Sequence, residues 1–251
     1  MSVSSNWASD DLASWQTSRV NGVGDAHAAP AADGSAVERP LELKRVQRSL
    51  FATPVTIVDF APGPMHAAFA GFVHEIRSSE RLSLETSARS AWSSRFDLLE
   101  RGNPALARLA GMVRSEVSDI HQRAHDDAYA EVGAEQAPPL RAVEVASTSA
   151  WAVVLQPGGF QHRHVHGSSD YIAVYMVESG TEGGAFVVDD PRPAYVATTK
   201  PVHGGFRSVE FAAQPGRLLV LPGWMTHAVE LVGGDEERLT INFDLSVTFA
   251  A

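Results

Sequence analysis

The 251 residues contain no cysteine. Disulfides and thiolate ligands are therefore excluded, and any metal must be held by His, Asp or Glu. No apolar run approaches the roughly 20 residues that cross a bilayer, so no membrane partner is expected. The first residues lack a basic segment followed by an apolar one, so nothing suggests secretion and the reading is cytoplasmic. Basic residues are scarce, 20 Lys and Arg against 30 Asp and Glu. With a net charge of -10 and no basic stripe, nucleic acid is an unfavourable partner. The length suits one large all-β or mixed domain, or at most two; a single catalytic domain is the simplest reading. No internal repeat is visible, and oligomeric state is not readable.

Composition changes along the chain. Residues 1–45 read as a flexible leader, rich in Ser, Ala, Gly and Asp, with room for a short amphipathic helix from Asp10 to Arg19. Residues 46–251 read as a single domain, with 46–139 as helical support and 140–251 as the strand-rich core. Leu50 to Phe60 is extended and ends at Ala61-Pro62-Gly63-Pro64. Met65 to Ile76 has apolar residues at helical spacing: Phe69, Phe72, Val73 and Ile76. A second helix starts at Asn103 as cap and Pro104 in its first turn, with a stripe of Leu106, Leu109, Met112, Val113, Val117 and Ile120. After Pro138-Pro139 come short strands: Leu140–Val145, Ala150–Leu155, Phe160–His166, Tyr171–Val177, Ala185–Val188, Ser208–Ala212, Arg217–Leu221, His227–Val232 and Leu239–Val247. Pro157-Gly158-Gly159 reads as one of the turns between them. Helices followed by many antiparallel strands give an α+β class, a double-stranded β-helix (jelly roll, cupin-like) with supporting N-terminal helices.

The chemistry concentrates in Gln161-His162-Arg163-His164-Val165-His166, where alternate positions put three histidines on one strand face. His227 follows His166 by 61 positions (227 minus 166), a gap that several hairpins can close. Leu218 to Trp224 delivers a buried strand into a tight turn just before it. Eleven positions later comes Arg238, with Thr240 and Asn242 on its own face and Leu239, Ile241 and Phe243 on the other. A guanidinium beside a hydroxyl inside a barrel can grip a carboxylate through two bonds. Metal plus clamp implies a chelating dicarboxylate. Plainer readings stand beside this. Lone histidines such as His121 and His203 read as solvated or hydrogen-bonded side chains, Arg238 could pair with Glu236 or Glu237, and Gly183-Gly184 reads as hairpin chemistry.

From Ser149 to Phe243 the chain resembles the iron(II)- and 2-oxoglutarate-dependent oxygenases, most closely the bacterial and phage branch with a His-x-His motif. Ser149-Ala150-Trp151, Pro157-Gly158, His164-Val165-His166, Val174-Tyr175, Gly184 with Asp190-Pro191-Arg192, Leu221-Pro222-Gly223-Trp224 with His227, and Arg238 to Phe243 follow the family's order. Leu50 to Pro54 and Ala91 to Ser94 are similar to its N-terminal part, so the likeness runs over about 200 residues. It implies a 2-oxoglutarate-dependent dioxygenase using Fe(II) and O2. His164 and His227 would be metal ligands, Arg238 would bind the distal carboxylate of 2-oxoglutarate with help from Thr240, and Asn242 and Tyr175 would also contact the cosubstrate. The usual facial triad has a carboxylate where this chain has His166, with Asp170 or His162 as alternatives. His166 is not small enough to leave a halide position, so hydroxylation is expected over chlorination. Trp92, Gln161, Tyr171 and the loop of the 190s are candidate walls for a small-molecule or peptide substrate. A cupin-like three-histidine metalloenzyme that ignores 2-oxoglutarate, or a non-catalytic jelly-roll binding module, are the competing readings.

Overall fold

The structure, a computed structural model, describes residues 53–61, 63–80, 83–84, 86–130, 139–140, 142–180, 182–192 and 208–249. All lie in the second of the two compact units into which the chain divides, Phe51–Ala251. The expected leader and its short helix, the start of the extended segment at 50–52, His203 and the loop beyond Arg192 fall outside the described residues.

Two helices form where the apolar spacing expects them. Helix α1 (Pro64–Ser79) opens on proline, whose missing N–H costs nothing in a first turn, and buries Phe69, Val73 and Ile76. Helix α2 (Pro104–Tyr129) is capped by Asn103, whose Oδ1 accepts from the Leu106 amide at 3.0 Å. Its stripe of Leu106, Leu109, Val113, Val117 and Ile120 is buried, at about 1.5–3 kcal/mol for each side chain removed from water. Among the described residues no helix is long and apolar enough to cross a membrane.

Among the described residues the strands are, in chain order, β1 (Thr56–Asp59), β2 (Ala88–Ser93), β3 (Val143–His164), β4 (Tyr171–Glu178), β5 (Glu182–Gly183), β6 (Phe186–Asp189), β7 (Ser208–Phe211), β8 (Arg217–Pro222), β9 (His227–Val229), β10 (Val232–Gly233) and β11 (Arg238–Phe249). Eight of them run in the order β1-β8-β4-β11-β3-β9-β6-β7, with β2 added on β3, and β10 pairs β5 separately. The curled sheet with two helices on one face is the α+β jelly roll expected from the strand spacing.

Strict alternation sorts the sheet's side chains into two cores. Ala150, Ala152 and Val154 of β3, Ala173, Tyr175 and Val177 of β4, and Leu239, Ile241, Phe243 and Leu245 of β11 pack with the helices. Their neighbours Trp151, Val153, Leu155, Ile172, Val174 and Met176 fill the concave side. The central strands are therefore apolar on both faces, and a polar residue on the concave face of β11 stands out.

Three strand expectations require correction. Leu140–Val145, Ala150–Leu155 and Phe160–His166 are not separate strands but one, β3, because β11 pairs with it from Leu155 to Val143, with one register shift after Asp244, and β2 carries the pairing on to Gln161. Pro157-Gly158-Gly159 is a bulge rather than a turn: two steps along β2, Arg89 to Ala91, face five along β3, Phe160 to Leu155. A Cβ on Gly159 would sit 2.7 Å from the Ser90 carbonyl oxygen, so the glycine lets the bulge lie flat on β2. His227–Val232 divides into β9 and β10, since the latter leaves the main sheet to pair β5. Strand β2 itself has no β-branched residue and no alternation to announce it; its place comes from the ladder with β3.

Candidate metal centre

His164 ends β3, His227 begins β9, and the two face each other across the antiparallel ladder. Their ring centroids are 4.2 Å apart. His166 lies two residues past the strand and is fixed by its backbone: its N–H donates to the Gly223 carbonyl at 2.8 Å, and its own carbonyl accepts from Ser169 at 3.0 Å. A Cβ on Gly223 would approach the Ser169 oxygen to 2.1 Å, which explains why the Pro-Gly step after β8 must close on this loop without a side chain. One ring nitrogen from each of His164, His166 and His227 falls within 4.8 Å of the others, a cluster able to hold a metal ion.

The other ring nitrogens are already engaged. His164 Nδ1 is 2.7 Å from the His162 carbonyl oxygen and His227 Nδ1 is 2.9 Å from that of Met225. A carbonyl can only accept, so both Nδ1 atoms carry the proton and both Nε2 lone pairs remain for a metal. Burial, with the charge of His164 beside it, pushes His227 down to about 3, and burial also lowers His164, so both rings are neutral and ligand-ready at neutral pH. Stacking of Phe186 on His227 and of Trp151 on His166 fixes the ring planes.

The third ring differs. His166 Nδ1 is 2.7 Å from Asp244 Oδ1, whose second oxygen accepts from Ser149 Oγ at 3.0 Å. Burial works against the Asp244 charge, but the hydrogen bond and charge of His166, with bonds from Ser149 and Ser169, hold its carboxyl below the ordinary range. Asp244 was missed in the sequence although the signal was present. It continues the concave-face series Arg238, Thr240, Asn242 by one more alternate position.

Arg238 is 2% exposed, and its Nε and Nη2 are buried without a hydrogen-bond partner. Desolvation lowers it only to about 10, so the guanidinium stays charged at neutral pH. It lines one crevice with the three histidines, Thr240 and Asn242. The alternative pairing with Glu237 does not occur, because Glu237 takes both prongs of Arg77 at 2.6 and 2.9 Å. A buried cation without an anion is costly, so the crevice is built for one. Three converging imidazole nitrogens and a guanidinium with two unpartnered nitrogens fit iron(II) together with an anionic dicarboxylate such as 2-oxoglutarate.

Gly184 makes room for that guanidinium. Its φ is +67°, and a Cβ would meet Arg238 Cδ at 2.9 Å. Gly184→Ala is expected to weaken 2-oxoglutarate binding because its Cβ pushes the arginine aside, while the strained left-handed alanine separately lowers stability by about 1–2 kcal/mol. Metal affinity should not change, which parallel titrations with metal and with cosubstrate check.

Other expected site residues are sorted by face. Gln161 joins the site, its Nε2 3.5 Å from His164 Nε2 and 3.0 Å from Ser87 Oγ. Tyr175, Trp92 and Tyr171 do not. Tyr175 and Trp92 belong to the helix-side core, Tyr171 packs against it, Tyr175 OH lies 3.2 Å from His66 Nδ1, and Trp92 Nε1 donates to the Glu80 carbonyl. On β4, odd-numbered residues turn away from the metal cluster, a phase the sequence motif alone does not report. His162 is exposed and edges Phe160, while Asp170 accepts from the Val247 amide; neither joins the cluster. Outside the crevice an open cleft of about 430 Å³ is bounded by Ser87, Phe96, Trp151, Val165 and Ser168, and it shares Gln161, His164 and His166 with the inner site.

Comparison with known proteins places this geometry. The family described as "Putative 2OG-Fe(II) oxygenase" matches residues 149–244. No curated protein matches the sequence. Among solved structures, a prolyl hydroxylase from Trichoplax adhaerens in complex with a hypoxia-inducible-factor peptide is similar at 14% identity and TM-score 0.51, over 78% of this chain and 82% of that one. SnoN, a non-heme α-ketoglutarate-dependent epimerase from nogalamycin biosynthesis, is similar at 10% identity and TM-score 0.52, over 78% and 80%. An oxidoreductase of the 2OG-Fe(II) oxygenase family from Burkholderia pseudomallei matches at 19% identity and TM-score 0.33 over 41% of this chain and 44% of that one, so the chain spans less than half of that protein. At these identities the structural likeness is one of fold, and it agrees with the jelly roll described above. The matched segment carries all three histidines of the cluster and the buried arginine, and over these residues the chain is similar to that oxygenase family.

Proposed function

We propose that this chain is an iron(II)- and 2-oxoglutarate-dependent hydroxylase. One oxygen atom of O2 would enter an unactivated C–H bond of a small molecule, amino acid or peptide, and the other would leave in succinate as 2-oxoglutarate loses CO2. The observation that carries this reading is Arg238, a buried cation with two unpartnered nitrogens in the crevice of three ligand-ready imidazoles.

In this reading His164, His166 and His227 hold the metal, and the bound iron and cosubstrate supply the O2 chemistry. The protein's own side chains bind and orient. Arg238 pairs with the distal carboxylate, and Thr240 and Asn242, which share a hydrogen bond at 3.3 Å, line the path between clamp and metal. Trp151 stacks on His166 and Phe186 on His227, holding the ring planes. Substrate would occupy the outer cleft, where Phe96 leans against Trp151 with ring centroids 4.8 Å apart and Gln161 reaches toward His164.

The competing reading, a three-histidine metalloenzyme that does not use 2-oxoglutarate, draws on the lack of a carboxylate ligand. Succinate release from iron-loaded protein, screened across amino-acid and peptide pools in air, separates the two. Substrate-dependent succinate supports the hydroxylase. Substrate oxidation without 2-oxoglutarate consumption would establish the competitor.

A further inference from the structure

The three imidazoles are neutral ligands, so together they bring no negative charge to the metal they would hold. Two of them rest their Nδ1 atoms on backbone carbonyls, which are dipoles fixed by the fold. Only His166 rests on a carboxylate, at 2.7 Å, and it is His166 that stands where the related facial triad has an acidic ligand. The carboxylate is not a chance surface contact. Asp244 and His166 side chains are 18% and 13% exposed, Ser149 Oγ donates to the free oxygen at 3.0 Å, and the Asp244 backbone is locked in the β11 ladders with β3 and β4. Asp244 also projects from the strand that presents Arg238 and Thr240, so one strand carries the cosubstrate clamp and the anion behind the ligand.

Resting on the function proposed above, we infer that Asp244 is a positioning residue that supplies, through the His166 ring, the negative charge the metal does not receive from a carboxylate ligand. The bond holds His166 with its Nε2 toward the metal, and the anion makes that nitrogen a stronger donor than those of His164 and His227. A carboxylate one ring away from the metal leaves all three ligands monodentate and uncharged. It therefore restores the charge balance without occupying a coordination position.

Cobalt(II) titration of the full chain, followed by ligand-field absorption, tests this. Asp244→Asn keeps an oxygen able to accept from Nδ1 but removes the charge, and Asp244→Ala removes both. Expected are about 10-fold weaker cobalt binding in the asparagine variant and up to about 100-fold in the alanine variant, with a shifted absorption band in the former. Cobalt affinity and spectrum unchanged in Asp244→Asn would overturn the charge role. In zinc-loaded wild-type protein, which needs no substitution, the His166 Nδ1 proton should resonate downfield of the corresponding protons of His164 and His227; equal shifts for the three would overturn it as well. Wild-type protein that binds cobalt tightly but never 2-oxoglutarate would sink the hydroxylase reading while leaving the Asp244 comparison intact.

Discussion

Arg238→Met lowers 2-oxoglutarate affinity by roughly 30-fold to several thousandfold and leaves metal affinity unchanged. The range follows from the loss of one partner of a buried charge pair, about 2–5 kcal/mol. Methionine fills much of the arginine's volume without its charge, so the crevice keeps its shape. The same substitution should raise the melting temperature of the ligand-free protein, because it removes a guanidinium whose Nε and Nη2 have no partner. Opposite signs in the two measurements mark a residue built for a ligand rather than for the fold. Equal losses of metal and cosubstrate binding would mean that Arg238 shapes the histidine cluster instead.

The second large effect is on the metal. His227→Ala removes a ligand whose ring is buried between Phe186 and the other two imidazoles, and metal affinity should fall by roughly 10²–10³-fold. That estimate divides the about 10–16 kcal/mol of a four-ligand zinc site equally among its ligands. His166→Ala should cost as much and additionally strand Asp244 without its ring. His166→Asp places a carboxylate near Asp244, so it should recover metal only in part, and the double variant His166→Asp with Asp244→Asn should bind better than the single one. Metal content by mass spectrometry after desalting reads all four. Unchanged metal in His166→Ala would exclude it as a ligand.

Much of this was legible in the sequence because strand and helix periods are strong signals. Asn103-Pro104 and the stripe behind it mark α2 at its first residue, and the alternation of Arg238, Thr240 and Asn242 against Leu239, Ile241 and Phe243 sorts β11 into its two faces. What was not legible depends on partners far along the chain. Whether His162, His164 or His166 joins His227 is decided by the β3–β9 register and by the Gly223 contact, neither of which leaves a local trace. Pro157-Gly158-Gly159 carries the composition of a turn yet forms a bulge, because β2 holds the strand together across it. Tyr175 and Trp92 sit in family-like stretches but on the helix-facing side, a matter of strand phase that requires the sheet.

The proposed chemistry requires metal and cosubstrate to meet in one crevice. Anaerobic addition of iron(II) and then 2-oxoglutarate to the full chain should give a visible absorption band that neither component gives alone. The band should be absent from Arg238→Met at the same concentrations and from His227→Ala at any. Folded wild-type protein that binds iron yet shows no band on addition of 2-oxoglutarate would contradict it.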